Sequence, residues 1–217
     1  MKETNSVKYY SPKEEFWNVV THGAGLFFSL LALILLLMRA SRFESMKLNL
    51  SFAVFGIGLI LLYSASTFYH SARDSKIRYR LKIFDHIAIF ILIAATYTPF
   101  ALITLEGKTG WIIFGVAWSI AFLGAFLKIF FTGRFKILST LLYVGMGWII
   151  IFAIKPLIDN LSAAGLIWLF AGGLFYTLGA ILYNINRISY NHAIFHLFVL
   201  LGSFSHFMAI YQHVFPK

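Results

Sequence analysis

Seven stretches of this 217-residue chain contain no Asp, Glu, Lys or Arg, and no other feature limits the possible folds as strongly. They run over 16–38, 48–72, 86–105, 109–127, 137–154, 160–186 and 188–216. A helix needs roughly 20 apolar residues to cross a 30 Å hydrocarbon core, with a range of about 17–25. The fifth run is the shortest, and Lys136 and Lys155 can snorkel outward from its ends. Membrane strands need only about 9–11 residues and alternate polar with apolar; these runs do neither. The sequence therefore predicts an all-α integral membrane protein, a seven-transmembrane helix bundle forming one domain over residues 1–217. Composition closes off the alternatives. Only 12% of residues are charged, about half the usual supply of a soluble domain, and 60% are apolar, which excludes disorder as well.

The net charge of +10 is not a nucleic-acid signal, because the Lys and Arg residues occupy short gaps between apolar runs instead of one exposed patch. No nucleic acid is expected as a partner; membrane lipids are. Lys2, Lys8, Lys13, Arg73, Lys76, Arg78, Arg80, Lys82, Lys128, Arg134, Lys136 and Arg187 fall on one side, twelve against six on the other. The positive-inside rule then predicts a cytoplasmic N-terminus and an outside C-terminus. The first 15 residues are highly charged and no small-residue cleavage site follows, so the first span is expected to act as its own insertion signal. The expected location is the cell (plasma) membrane, as a multi-pass protein. With no cysteine, any metal site must be built from nitrogen and oxygen.

Ionisable groups inside a bilayer are costly and point to function. By topology His70 closes the second span, Asp85 and His86 open the third, and His192 and His196 open the seventh, all on one side. The His192/His196 pair is spaced i,i+4 on one helical face. Three imidazoles leave a fourth metal position open, the arrangement of catalytic zinc, and Asp85 could hold a water there. Ser66 stands one turn before His70. It reads either as a hydrogen-bond donor to a developing oxyanion or as a serine bonded back to its own helix. Glu15, Asn18 and His22 sit at successive turns of the first span. They read as groups steadying the ligands or as a polar helix start. His206 and His213 share a side of the last span with the His pair, but His206 is about 21 Å from His192 along the axis, which favours packing over a path across the bilayer. Gly23 and Gly25, Gly56 and Gly58, Gly145 and Gly147, and Gly172 and Gly173 read as points of close helix approach, and Trp17, Trp111 and Trp168 as an aromatic belt.

These residues resemble the hemolysin III branch of the progestin and adipoQ receptor family. The resemblance rests on four motifs in order: Glu15, Asn18, Thr21 and His22; Ser66 with His70; Asp85; and His192 with His196. It covers essentially the whole chain. It implies seven helices with the N-terminus inside, zinc bound by His70, His192 and His196, and Asp85 acting on water at the metal. Adiponectin receptors and alkaline ceramidases, which are similar, imply a zinc-dependent hydrolase of a lipid amide or ester, hence a lipid substrate or ligand. The hemolysin label implies instead a pore-forming cytolysin or channel, and a third reading is a receptor-like regulator with structural zinc.

Overall fold

A computed structural model describes residues 9–185 and 187–216, and each of its long helices begins where the local chemistry sets it, not where the charge runs begin. Helix α1 (Pro12–Ala40) opens on Ser11, whose hydroxyl accepts from the Glu14 amide at 3.2 Å. Pro12 provides the fixed φ of a first helical turn, and Glu14 and Glu15 complement its dipole. Helix α2 (Met46–Ser71) opens in the same way on Ser45.

Helix α3 (Ser75–Pro99) corrects the sequence reading. Asp74 accepts from the amides of Lys76 and Ile77 at 3.0 and 2.9 Å, which nucleates the helix ten residues before Asp85. Lys76, Arg78, Arg80 and Lys82, counted above as loop charges, lie on its first three turns. Asp85 does not open the third helix; it lies about 15 Å along it. Past Pro99 the chain makes a wide turn over Phe100–Leu105 before α4 (Gly107–Phe131).

The fifth span is a second correction, because it is interrupted. Helix α5 (Lys136–Gly147) gives way to a tight turn over Ile149–Ala153, and α6 (Ile154–Asn160) resumes the direction. Pro156 cannot donate to the carbonyl four residues before it and crowds that carbonyl. Backbone groups freed inside a membrane must find partners in the protein. Tyr97 of α3 provides them: its hydroxyl donates to the Gly147 carbonyl at 2.8 Å and accepts from the Ile150 amide at 3.1 Å.

Helices α7 (Ala163–Asn184) and α8 (Asn191–His213) complete seven span-length helical segments among the described residues, where no strand occurs. Sequence neighbours pack together, and α8 closes against α1. Helix α3 is the most enclosed of the seven, whereas Phe27, Phe28, Phe122, Leu123, Phe126 and Phe130 turn outward. Such an apolar exterior suits hydrocarbon. Of the paired glycines, Gly25, Gly56, Gly58 and Gly172 make true close approaches: an added Cβ would lie 2.4 Å from the Tyr63 ring, 2.6 Å from the Leu33 side chain, 2.7 Å from Ala95 Cβ and 2.2 Å from the His206 ring. Gly145 and Gly147 do not; a Cβ at either would meet nothing within 4 Å. They flank the interruption in the fifth span, where weak helix propensity suits the break. Trp17 and Trp111 are exposed, while Trp168 packs edge-on against Phe204. Lys2, Lys8 and Lys217, part of the charge count, lie outside the described residues.

Candidate metal centre

The end of α2 and the start of α8 bring three imidazoles face to face. His192 Nε2 lies 3.0 Å from His70 Nε2 and 3.1 Å from His196 Nε2. All three rings are buried, and one nitrogen of each falls within 4.8 Å of the others, so the group could hold a metal ion. Among the described residues it is the one such cluster.

The remaining ring nitrogens decide which lone pairs face inward. His70 Nδ1 lies 2.7 Å from Glu15 Oε2. A carboxylate only accepts, so Nδ1 carries the proton and His70 Nε2 presents a lone pair. His196 Nδ1 lies 3.2 Å from Thr21 Oγ1, and that hydroxyl already donates to the Trp17 carbonyl at 2.7 Å. Thr21 must therefore accept from His196 Nδ1, and His196 Nε2 also presents a lone pair. Two inward lone pairs beside a third imidazole form a donor set for a cation. Zinc–nitrogen bonds of about 2.0–2.1 Å in a tetrahedron place ligand nitrogens on the order of 3.3 Å apart, a few tenths wider than found here. The donor set could therefore close on a metal ion with a small adjustment of the rings.

Helix α1 supplies most of the support. Glu15 takes the His70 proton with one oxygen and the Arg78 guanidinium with the other, and it also accepts from the Tyr10 amide at 3.2 Å. The Asn18 amide reaches Glu15 at 3.5 Å. His22 makes no hydrogen bond to the triad; its ring stacks on His196, with centroids 3.4 Å apart and planes at 11°. Tyr10 stacks on His192 at 4.8 Å, and burial holds its phenol above the ordinary tyrosine range, so it stays neutral.

Ser66, Asp85, His192 and His196 line one end of a cavity of about 450 Å³, whereas His70 lines a neighbouring depression with Glu15 and Arg78. The cavity extends past Leu62, Ile93 and Phe100 to Leu169 and His206. His206 itself packs, with Nε2 3.2 Å from the Leu169 carbonyl, and His213 Nδ1 lies 2.8 Å from the Ser162 hydroxyl. His86 also lines the cavity but makes no hydrogen bond to the triad; its Nδ1 donates to the Lys82 carbonyl at 2.7 Å and lies 3.6 Å from Asp85 Oδ2.

The family described as "Haemolysin-III related" matches residues 10–207. The chain belongs to that family. It is 46% identical over 204 residues to Hemolysin-3 of Bacillus cereus, covering 94% of this chain and 93% of that one. It is 44% identical over 201 residues to the Hemolysin-3 homolog of Bacillus subtilis (strain 168), covering 93% and 94%. A more distant likeness, 28% over 173 residues and covering 75% and 69%, is to the human monocyte to macrophage differentiation factor. With seven spans and this membership, it is a multi-pass membrane protein.

In this haemolysin-III-related chain the largest omission of the sequence reading is Arg78. It is 1% exposed, donates to the His70 and Ala72 carbonyls at 3.2 and 3.1 Å, and lies between the rings of Tyr9 and Tyr69 at 4.6 and 4.7 Å. It thereby ties the end of α2 to Glu15. The signal that could have found it is the Asp74 cap, which puts Arg78 on a helix facing α2. Tyr10 was also missed, and Thr21 entered the sequence reading only as a motif residue, without a role. Tyr10 precedes the cap of α1, and only the tertiary fold brings it onto His192.

Proposed function

We propose that the protein is a zinc-dependent hydrolase of a lipid amide or ester bond, with His70, His192 and His196 holding the ion. The arrangement of the outer ring nitrogens carries this reading: both Glu15 and Thr21 turn Nε2 lone pairs inward, next to a cavity that also presents a carboxylate and a hydroxyl. Zinc, when bound, lowers the pKa of water and polarises a carbonyl. Asp85 orients the attacking water and takes its proton as general base. Ser66 donates a hydrogen bond to the carbonyl oxygen as charge develops there. Glu15, with Asn18 behind it, holds the His70 ring in the ligating tautomer, and Thr21 does the same for His196. His22 braces the His196 ring by stacking. The apolar length of the cavity accepts an acyl chain and keeps bulk water from the reacting bond. We place the site at the cytoplasmic end of the bundle on the charge asymmetry of the loops.

The test is metal analysis of the purified protein together with fatty-acid release from acyl lipids of both neutral and anionic headgroups. About one zinc per chain and metal-dependent release are expected. Zinc-free protein, or release indifferent to chelation, would overturn the reading. The name of the two Bacillus relatives, Hemolysin-3, supports a second reading as a pore-forming cytolysin, which expects zinc-independent leakage from liposomes and no release.

A further inference from the structure

The mouth of the cavity is lined by cations that the hydrolytic reading does not use. Lys82 stands three residues before Asp85 on the same face of α3, and Lys128 lies in the last turn of α4. Arg134, in the turn between α4 and α5, and Lys136, the first residue of α5, complete the set. The turn passes close by at Gly133, where an added Cβ would lie 3.2 Å from Lys82 Nζ. Against these four cations, Asp85 is the single carboxylate lining the cavity among the described residues.

Lys128 makes the set informative. It is 5% exposed, so it is not a surface lysine attracted to a bilayer in general. Its ammonium donates to the Ser139 hydroxyl and lies 5.7 Å from the Tyr143 ring centroid. Among the described residues none of the ion pairs includes it. A buried charge without a counter-ion is strongly unfavourable, and Lys82 is near enough to repel it. Both facts call for an anion between them. Beyond the mouth the lining turns apolar through Leu62, Ile93 and Phe100 and reaches His206, about 21 Å below His192 along α8. A free phosphate would satisfy the mouth but leave that length unfilled.

We propose that the cavity takes a long-chain lipid with an anionic headgroup, a phosphate or carboxylate held by Lys82, Lys128 and Arg134, and its acyl chain directed toward His206. Asp85 lies about 4.5 Å deeper than Lys82 along α3, so a carbonyl a few atoms from the headgroup reaches Ser66 and Asp85. That carbonyl placement rests on the hydrolase reading, and it makes the substrate class an acidic acyl lipid, not a neutral one. The headgroup preference does not depend on turnover.

The experiment is a binding titration of the full-length protein in detergent by native mass spectrometry. It compares oleoyl lysophosphatidic acid with monooleoylglycerol, which carries the same chain on a neutral headgroup. Wild type is expected to prefer the anionic lipid by about tenfold or more, the scale of one charge-assisted hydrogen bond. Lys128→Met should erase most of that preference. Arg134→Gln, on an exposed turn where misfolding is not a concern, should reduce it several-fold. Equal affinity for the two lipids, a preference that survives both substitutions, or inorganic phosphate binding as tightly as the lipid would each overturn the proposal. A preference found in a protein that hydrolyses nothing supports this site and sinks the hydrolase reading; hydrolysis of a neutral lipid without any headgroup preference does the reverse.

Discussion

Glu15 Oε2 accepts the Nδ1 proton of His70 across 2.7 Å, although 55 residues separate the two in sequence. This contact fixes which His70 nitrogen faces the centre, so the proposed metal binding depends on the first turn of α1. Glu15→Gln keeps the size but can present its amide group to Nδ1 and permit the wrong tautomer. Loss of such a partner typically weakens metal affinity by about 10–100-fold. Competition with a graded series of zinc chelators measures it. An unchanged affinity would show that His70 needs no partner to hold its orientation.

The triad itself should behave as a unit. His192→Ala or His196→Ala leaves two imidazoles, too few for a closed site, and zinc content should fall from about one per chain to near zero. Stoichiometric zinc in the double substitution would remove the ion from this place altogether.

How far these features could be read from the sequence depends on the range of the interaction that sets them. Span number follows from charge depletion, a local property, and the His depth follows from counting along alternating helices. The start of α3 was misread because the apolar run begins at His86 while the helix is nucleated by Asp74, a capping residue that hydropathy does not register. That misplacement turned Arg78 into a loop charge and hid its contact with Glu15. The break in the fifth span had a local cause in Pro156, but the compensation comes from Tyr97 on α3, which no spacing rule reveals. Tyr10 on His192 is likewise a purely tertiary meeting.

Arg78 yields a stability prediction. It is buried, paired with Glu15 and bonded to the carbonyls that end α2. Arg78→Met leaves the Glu15 carboxylate without a cation and two carbonyls without donors. Breaking a buried pair from one side costs about 3–5 kcal/mol, so the detergent-solubilised protein should unfold at clearly lower temperature. Lysine should not rescue it, because it lacks the fork that reaches several acceptors at once. Adding Glu15→Gln to Arg78→Met should cost less than the sum of the two, and strict additivity would mean the pair is not coupled.

Topology gives a separate check. An odd number of spans requires reporters fused at the two termini to sit on opposite sides, and the charge asymmetry of the loops predicts the N-terminal one in the cytoplasm. Arg78 is neutralised by Glu15, yet Arg73, Lys76, Arg80 and Lys82 still weight that end. Reporters on the same side would remove a span and with it the common depth of His70 and His192.

Asp85→Asn separates holding an ion from using it. Asp85 lines the cavity with His192 and His196, but it is not one of the three residues whose nitrogens converge. Asparagine keeps the shape and one acceptor and cannot take a proton from the attacking water. Zinc content should therefore change little, while lipid hydrolysis falls by roughly 10²–10⁴, the usual contribution of a positioned general base. Ser66→Ala provides the comparison. If the hydroxyl stabilises the developing oxyanion, its loss should lower kcat by about 10²–10³, and if it only bonds to its own helix, kcat should hold. Zinc content, fatty-acid release and liposome leakage measured on the same preparations distinguish the outcomes. Full hydrolysis in Asp85→Asn would take the carboxylate out of the mechanism. Leakage that persists without zinc and without hydrolysis would transfer the role of the cavity to a pore, because only in that case would neither Asp85 nor the triad matter to what crosses or leaves the membrane.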